Sequence, residues 1–323
     1  MEVAFYCVCE QRYFLGAVGM INSLRLLGHS EPVFVLDCGL TPAQRELLAP
    51  HATLVATASA APPYLLKTVA PLMHPADVMV LIDADMIVTR PLTEPLQRAG
   101  GGRVVAFAND TDRFVPEWGE ILDLGTARRR PYVSSGLVLF GGAPGREALG
   151  LMDDRQSRVD FGLTFYGSND PEYPFRYPEQ DVLNAILCTR PEAEQIVALE
   201  SRLVANPPFE GLRLVDVEAL RCAYEDRAEP YVLHHYARKP WLEPMYHGIY
   251  SRLLTRLLLA PDVAMKVPED GVPLRMRRGP LARAARARVD VQGRVGWQLR
   301  SLLPESVVSR IDEFRHRRAR GVG

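Results

Sequence analysis

The 323 residues carry thirty-eight basic and thirty-nine acidic side chains and are 47% hydrophobic, enough chain to bury the core of one large α/β domain or two ordinary ones. A formal net charge of −1 excludes a globally basic nucleic-acid binder, and no nucleic-acid partner is expected. The charge is uneven, however: thirteen arginines from Arg275 onward meet four acids (Asp290, Glu305, Asp312, Glu313), so an acidic body precedes a basic tail.

Met1-Glu2-Val3 runs into a strand with no basic n-region, so no signal peptide is expected. No apolar run reaches the length of a membrane span. Cys7 and Cys9 share one face of the first strand, too close for an easy disulfide, and Cys38, Cys188 and Cys222 are scattered. Five free thiols in a reducing cytosol are expected. Three lysines (Lys67, Lys239, Lys266) stand against thirty-five arginines, so each lysine is an exception.

In chain order, Val3 to Val8 reads as a buried strand, and about Phe14 to Leu27 as a helix. Pro32 to Leu36 is a second strand closed by Asp37. Thr41 and Pro42 are N-cap and first position of a helix over Ala43 to Leu48. Thr53-Leu54-Val55 is a short strand, followed by a Pro-rich loop and a helix near Tyr64 to Met73. Val78 to Ile82 comes next, five apolar residues that read as a strand buried on both faces. This alternation is a doubly wound, nucleotide-binding half.

After Pro91 the pattern changes. Val104 to Phe107 is a strand running into Asn109-Asp110-Thr111-Asp112, and Arg113 to Pro131 is a loop of low periodicity. Val133 to Phe140 is a strand and Arg146 to Val159 a helix. A second helix starts at Glu179, and late strands are expected at Ile196 to Leu199 and Pro230 to Leu233. Residues 1–260 form the expected catalytic domain and 261–323 a basic helical tail.

The organising stretch is Asp83-Ala84-Asp85 at the end of the central strand. Alternation places both carboxylates on one face at the C-terminal sheet edge, where open α/β sheets bind ligands. Two such aspartates repel unless a cation lies between them, and a hard divalent ion with oxygen ligands suits the place. Read in isolation, the pair is better explained as an Asp turn capping the next segment. The buried strand before it and apolar Met86-Ile87-Val88 after it favour the metal reading.

Several stretches, in order, resemble the glycogenin-like retaining glycosyltransferases, family eight with the GT-A fold. That family includes glycogenin, galactinol synthase and bacterial lipopolysaccharide galactosyltransferases. The stretches are Ala4-Phe5 with Tyr13, Gly16-Ala17 and Ser23-Leu24; Tyr64-Leu65-Leu66-Lys67 leading to Ile82-Asp83-Ala84-Asp85; Ser135-Gly136-Leu137; Gln180-Asp181-Val182-Leu183-Asn184; and Lys239-Pro240-Trp241. The resemblance spans residues 3 to about 245. It departs from the family at three places. The family's His-x-x-Gly-x-x-Lys-Pro-Trp would put its histidine at Leu233, Glu179 stands for the first acid of Asp-Gln-Asp, and Ser134 replaces an asparagine.

The resemblance implies a mixed central sheet flanked by helices and transfer of a hexose from a UDP-sugar, UDP-glucose or UDP-galactose, with retention. Mn²⁺ or Mg²⁺ would be held by Asp83, Asp85 and a histidine. His234 and His235 point to opposite faces of an extended segment, so one serves; His235 is the choice and His234 the alternative. Implied donor contacts are Cys7, Val8, Tyr13, Lys67, Ala84, Ser134, Ser135, Gly136, Glu179 and Lys239; Gln180 and Asp181, which read alone would cap a helix, become catalytic sugar contacts, Gln180 near the β-face of the reacting carbon. Asp110 and Asp112 would contact the acceptor, or form a solvated turn. Lys67 read alone is an exposed helix lysine and Trp241 ordinary core. The acceptor, whether saccharide, glycolipid or protein, is not readable.

Two rival functions stand beside the transferase. A sugar-phosphate nucleotidyltransferase would carry a Gly-rich loop where this chain has Cys9-Glu10-Gln11-Arg12-Tyr13. A non-catalytic sugar-nucleotide binder has less need of both aspartates and Lys239. In the tail, arginines beside Val307, Val308, Ile311 and Phe314 give an amphipathic face. Such a face suits an anionic membrane, making the protein peripheral at the inner leaflet, or a helix pair on the body or in a homo-oligomer.

Overall fold

The computed structural model describes residues 1–190, 192–236, 238–243 and 248–301, with side chains to residue 291. The second arginine block, including Val307 to Phe314, lies outside the described residues. The strands are β1 (Val3–Cys9), β2 (Val33–Asp37), β3 (Thr53–Ala56), β4 (Val78–Ile82), β5 (Met86–Val88), β6 (Val104–Ala108), β7 (Val133–Gly141), β8 (Ile196–Leu199), β9 (Val204–Ala205), β10 (Leu212–Asp216), β11 (Arg221–Tyr224) and β12 (Val232–His234). The helices are α1 (Phe14–Leu26), α2 (Pro42–Leu48), α3 (Val69–Met73), α4 (Thr93–Gly100), α5 (Trp118–Ile121), α6 (Gly142–Gln156), α7 (Pro178–Thr189), α8 (Ile249–Leu259) and α9 (Pro280–Ser301).

Seven strands form one sheet in the order β3-β2-β1-β4-β7-β6-β8. The first four are mutually parallel; β7 runs antiparallel to both β4 and β6. β4 sits in the middle, buried along its whole length. Val78, Val80 and Ile82 face one core, and Met79 and Leu81 face the other, the period-two division expected of a strand covered on both sides. Burying each such side chain contributes roughly 1.5–3 kcal/mol. A small second sheet, β5-β12-β9, packs beyond the end of β4.

Thr41 caps α2 in a full capping box with Gln44 and Pro42 at the first position. The helix expected over Tyr64 to Met73 is instead a 3-10 turn at Pro63–Leu66 followed by short α3. Pro71 lacks an N–H, and its ring would clash with the carbonyl of Lys67 in a continuous helix.

α1 is buried from Phe14 to Leu24. Its Asn22 donates to the carbonyls of Leu257 (2.7 Å) and Met265 (2.8 Å) and accepts from the Met265 N–H (2.9 Å). The expected boundary at residue 260 therefore falls inside packed chain. Val263, Met265, Val267, Val272 and Met276 are buried, most of them in the same core as α1 and α8, and the basic helix begins only at Pro280.

Candidate active site

β4 ends at Ile82, and the aspartates are not a continuation of the strand. Asp83 to Met86 is a turn closed by the Met86 N–H on the Asp83 carbonyl at 3.1 Å. The turn, rather than strand alternation, brings the two carboxylates together. It is seated from three sides. The Asp83 N–H donates to the Gly136 carbonyl (2.9 Å), the His235 N–H to the Asp85 carbonyl (3.1 Å), and the Tyr250 hydroxyl to that same carbonyl (2.9 Å).

Two of the three lysines lie here. Lys67 Nζ is 2.7 Å from Asp83 Oδ1 and 3.5 Å from Glu179 Oε1. Lys239 Nζ hydrogen-bonds Asp85 Oδ2 and the His235 carbonyl. Each lysine takes one oxygen of one aspartate. The other oxygens, Asp83 Oδ2 and Asp85 Oδ1, face His234 Nε2 at 3.8 and 3.3 Å. Asp85 Oδ1 is buried with no hydrogen-bond donor among the described residues; the His234 ring is near it but not aligned to donate. Burial alone would raise Asp85, but His234 and Lys239 outweigh it and hold its carboxyl well below the usual range. Asp83 goes the other way, raised by burial and by Asp85 despite Lys67. Burial would lower Lys67, yet Asp83 and Glu179 raise it above the ordinary lysine value.

The choice of His235 is corrected by this geometry. Register pairs His234 with Met86 across the antiparallel β5–β12 ladder, which turns His234 to the aspartates. His235 turns away, its ring against Tyr250 (centroids 4.9 Å apart) and Phe209 (5.8 Å). Burial and the nearby Lys239 push its imidazole down to about 4, so it is a neutral core ring. One nitrogen from His234 and one oxygen from each aspartate lie mutually within 4.8 Å. With an orphaned carboxylate oxygen among them, this donor set fits a hard divalent cation.

Two glycines allow the segments to meet. A Cβ on Gly136 would lie 3.0 Å from His234 Cε1 and 3.1 Å from Asp83 Oδ2, and one on Gly16 only 2.5 Å from the Ala84 carbonyl oxygen. Trp241 closes the back, its indole N–H donating to the Arg12 carbonyl at 2.7 Å. Tyr13 lies edge-on to Trp241, with the Lys239 ammonium 5.4 Å from its ring centre. Cys7, buried at the C-terminal end of β1, lies close enough to Asp83 and Asp85 that they add to the rise burial gives its thiol. Val8, beside it, is half-buried. Ala84 is buried between the aspartates.

The α7 start attaches to β7. Ser135 Oγ donates to Glu179 Oε1 (3.0 Å), the Ser135 N–H to Gln180 Oε1 (3.3 Å), and Ser134 Oγ accepts from the Gly136 N–H (3.3 Å). Asp181 is different. It is fully buried, with Oδ1 held by Arg113 (3.1 Å) and Tyr132 (2.6 Å) and Oδ2 by the Tyr177 N–H (2.8 Å). A carboxylate so enclosed is not open to a substrate, so the expectation that it contacts the sugar is corrected. It is a positioning residue that fixes the start of α7. Asp110 and Asp112 are exposed in the loop after β6, Asp112 paired with Arg129 at 2.5 Å, and neither joins the aspartate cluster.

Sequence reasoning missed Tyr250 and Arg113. It also missed an aromatic rim in which Tyr64 stacks on Phe161 and Tyr166 with centroids 5.3 and 4.4 Å apart. The density of rings between Phe161 and Tyr177 was the available signal.

The sheet order, the antiparallel β7 and the aspartate turn at the end of β4 define a GT-A nucleotide-sugar fold. No protein-family model matches the chain, and no curated protein does. Among solved structures it is similar to the apo form of the bifunctional glycosyltransferase WbbM, with a TM-score of 0.51 and 13% identity. That match takes in 80% of this chain and 50% of the other, so the chain spans about half the length of WbbM. It is also similar to an active-site mutant of LgtC, with a TM-score of 0.50 and 17% identity over 83% of this chain and 98% of the other.

Proposed function

We propose that the chain is a metal-dependent glycosyltransferase of the glycogenin-like kind, moving a hexose from a UDP-sugar to an acceptor with retention at the anomeric carbon. The observation that carries the reading is the convergence of Asp83 Oδ2, Asp85 Oδ1 and His234 Nε2, with the opposite oxygen of each aspartate occupied by a lysine. WbbM is a bifunctional glycosyltransferase and LgtC a galactosyltransferase; the shared fold with the former makes sugar transfer the natural reading.

Asp83, Asp85 and His234 would hold Mn²⁺ or Mg²⁺. When bound, such an ion supplies Lewis-acid charge to a leaving diphosphate. Lys67 and Lys239 keep the aspartates ionised and in place. Three carboxylates (Asp83, Asp85, Glu179) lie around the two ammonium groups, and a divalent ion there would add the positive charge that a diphosphate calls for. Gln180, fixed by the Ser135 N–H, would lie against the β-face of the sugar. Gly136 lets backbone approach the donor where a side chain would intrude. No carboxylate is singled out as a covalent nucleophile, so displacement from the front face, with the departing phosphate taking the acceptor proton, fits best.

A panel of UDP-sugars with Mn²⁺ tests the reading by UDP release, and the anomeric coupling of the product tests retention. Release from at least one donor is expected, with the anomeric configuration kept. Nucleotide binding without release would mark a binding protein, and pyrophosphate formation from a nucleoside triphosphate would mark a nucleotidyltransferase.

A further inference from the structure

Away from the aspartates, α8, Val217, the turn before α9 and the first turns of α9 border an open, shallow hollow of about 520 Å³. Arg252, Arg277, Arg278, Arg283 and Arg286 line it, together with Gly279. No carboxylate among the described residues ion-pairs with Arg252, Arg277, Arg278 or Arg283, although ion pairs are plentiful elsewhere on the surface, such as Arg213–Glu225 at 2.7 Å and Arg221–Glu229 at 2.6 Å.

Two of the five guanidinia form a fixed floor. Arg277 donates through Nε to the Val272 carbonyl (2.6 Å) and through Nη2 to that of Asp270 (2.9 Å). Arg286 Nη1 donates to the carbonyls of Arg275 and Arg277, both at 3.0 Å. These bonds hold the positive charges near one another without neutralising them. Arg252, Arg278 and Arg283 are exposed, and the Arg278 backbone N–H donates to Glu269 Oε1 at 3.3 Å. Gly279 and Arg283, on either side of the start of the 22-residue α9, both line the hollow. Gly279, at φ +97°, provides the carbonyl that starts the helix ladder, accepting from the Arg283 N–H at 3.1 Å.

We propose that this hollow is a second anion site, built for a phosphate-bearing group of two or more negative charges. Like charges gathered around a concavity raise the local concentration of a counter-ion. Guanidinium forks match phosphate oxygens two at a time where ammonium groups cannot. The start of a long helix adds partial positive charge, here from the N–H groups after Pro280, which itself has none. The guest is a phosphomonoester or diphosphate, supplied by a lipid headgroup or a soluble phosphorylated compound. The site is independent of the aspartate site, since it uses no residue of it and calls for no metal.

The full chain is titrated with inorganic pyrophosphate in the presence of EDTA. The titration is compared with a triple variant, Arg252→Gln, Arg278→Gln and Arg283→Gln, whose exposed positions leave the floor and the core untouched. Both proteins are also sedimented with phosphatidylcholine vesicles with and without phosphatidic acid. The triple variant is expected to lose at least about tenfold in affinity for the anion that wild type binds. Loss of vesicle binding, with free pyrophosphate displacing wild type from the vesicles, identifies the headgroup as the source. Loss confined to pyrophosphate identifies a soluble phosphate. If the triple variant equals wild type toward both probes, or wild type binds neither, the proposal is wrong.

Discussion

Replacing Lys239 by methionine isolates the energetics of the aspartate site. Lys239 is 5% exposed and Asp85 7% exposed, and the ammonium hydrogen-bonds both Asp85 Oδ2 and the His235 carbonyl. At an effective dielectric of about 20, unit charges in contact attract by roughly 5 kcal/mol. Relief from desolvating the ammonium returns part of that, but Asp85 is left buried with Oδ1 already lacking a donor. Breaking a buried pair from one side costs about 3–5 kcal/mol, and the lower end is expected because methionine keeps the packing. Urea unfolding in EDTA measures it. Lys266→Met, at an exposed position, serves as the control and should change stability by less than about 0.5 kcal/mol. Saturating Mn²⁺ should restore part of the Lys239→Met loss by giving Asp85 another positive neighbour. The deficit should also shrink as the pH falls through about 4. A carboxyl held below its ordinary value contributes stability above its unfolded pKa and loses it on acidification, and the variant has less to lose. A cost below about 1 kcal/mol in EDTA would refute the reasoning.

Gly136→Ala places a Cβ 2.6 Å from Met86 Cε, which can swing aside, and 3.0–3.1 Å from His234 and Asp83, which cannot without opening the cluster. A stability loss of about 1–3 kcal/mol is expected, with weaker Mn²⁺ binding by titration; unaltered Mn²⁺ affinity would count against the assignment. His234→Ala should abolish metal-dependent activity while His235→Ala retains it and loses on the order of 1–2 kcal/mol of stability. The reverse result would move the ligand to His235. Arg113→Met should destabilise by about 2–3 kcal/mol by stranding the Asp181 carboxylate, with UDP affinity unchanged; a selective loss of UDP affinity at full stability would return Asp181 to the substrate.

Much of the fold is legible in the chain, for reasons that differ by element. Val78 to Ile82 announces itself because five apolar residues in a row are too many for a strand with one face in water. The aspartates after it are legible as a pair, although the turn that joins them reads as strand. The histidine is not legible. Alternation says that His234 and His235 face opposite ways but not which way either faces. That is set by the pairing of β12 with β5, a contact between segments almost 150 residues apart. The role of Asp181 is hidden for a similar reason. Its partners Arg113, Tyr132 and Tyr177 come from separate stretches, one of them a loop with no periodicity to read. The boundary at residue 260 misleads because Val263, Met265 and Val267 alternate too briefly to signal burial, and the bonds of Asn22 to Met265 show where they dock.

Calorimetric titration of UDP into the full chain tests the central claim most directly, carried out in Mn²⁺, in EDTA, and with Asp85→Asn. Metal-dependent binding in wild type, lost in EDTA and lost in the variant, is the predicted result, with circular dichroism checking that the variant is folded, since Asp85→Asn also deprives the buried Lys239 of its carboxylate. Equal UDP affinity in Mn²⁺ and in EDTA, or an Asp85→Asn protein that binds as wild type does, would contradict it.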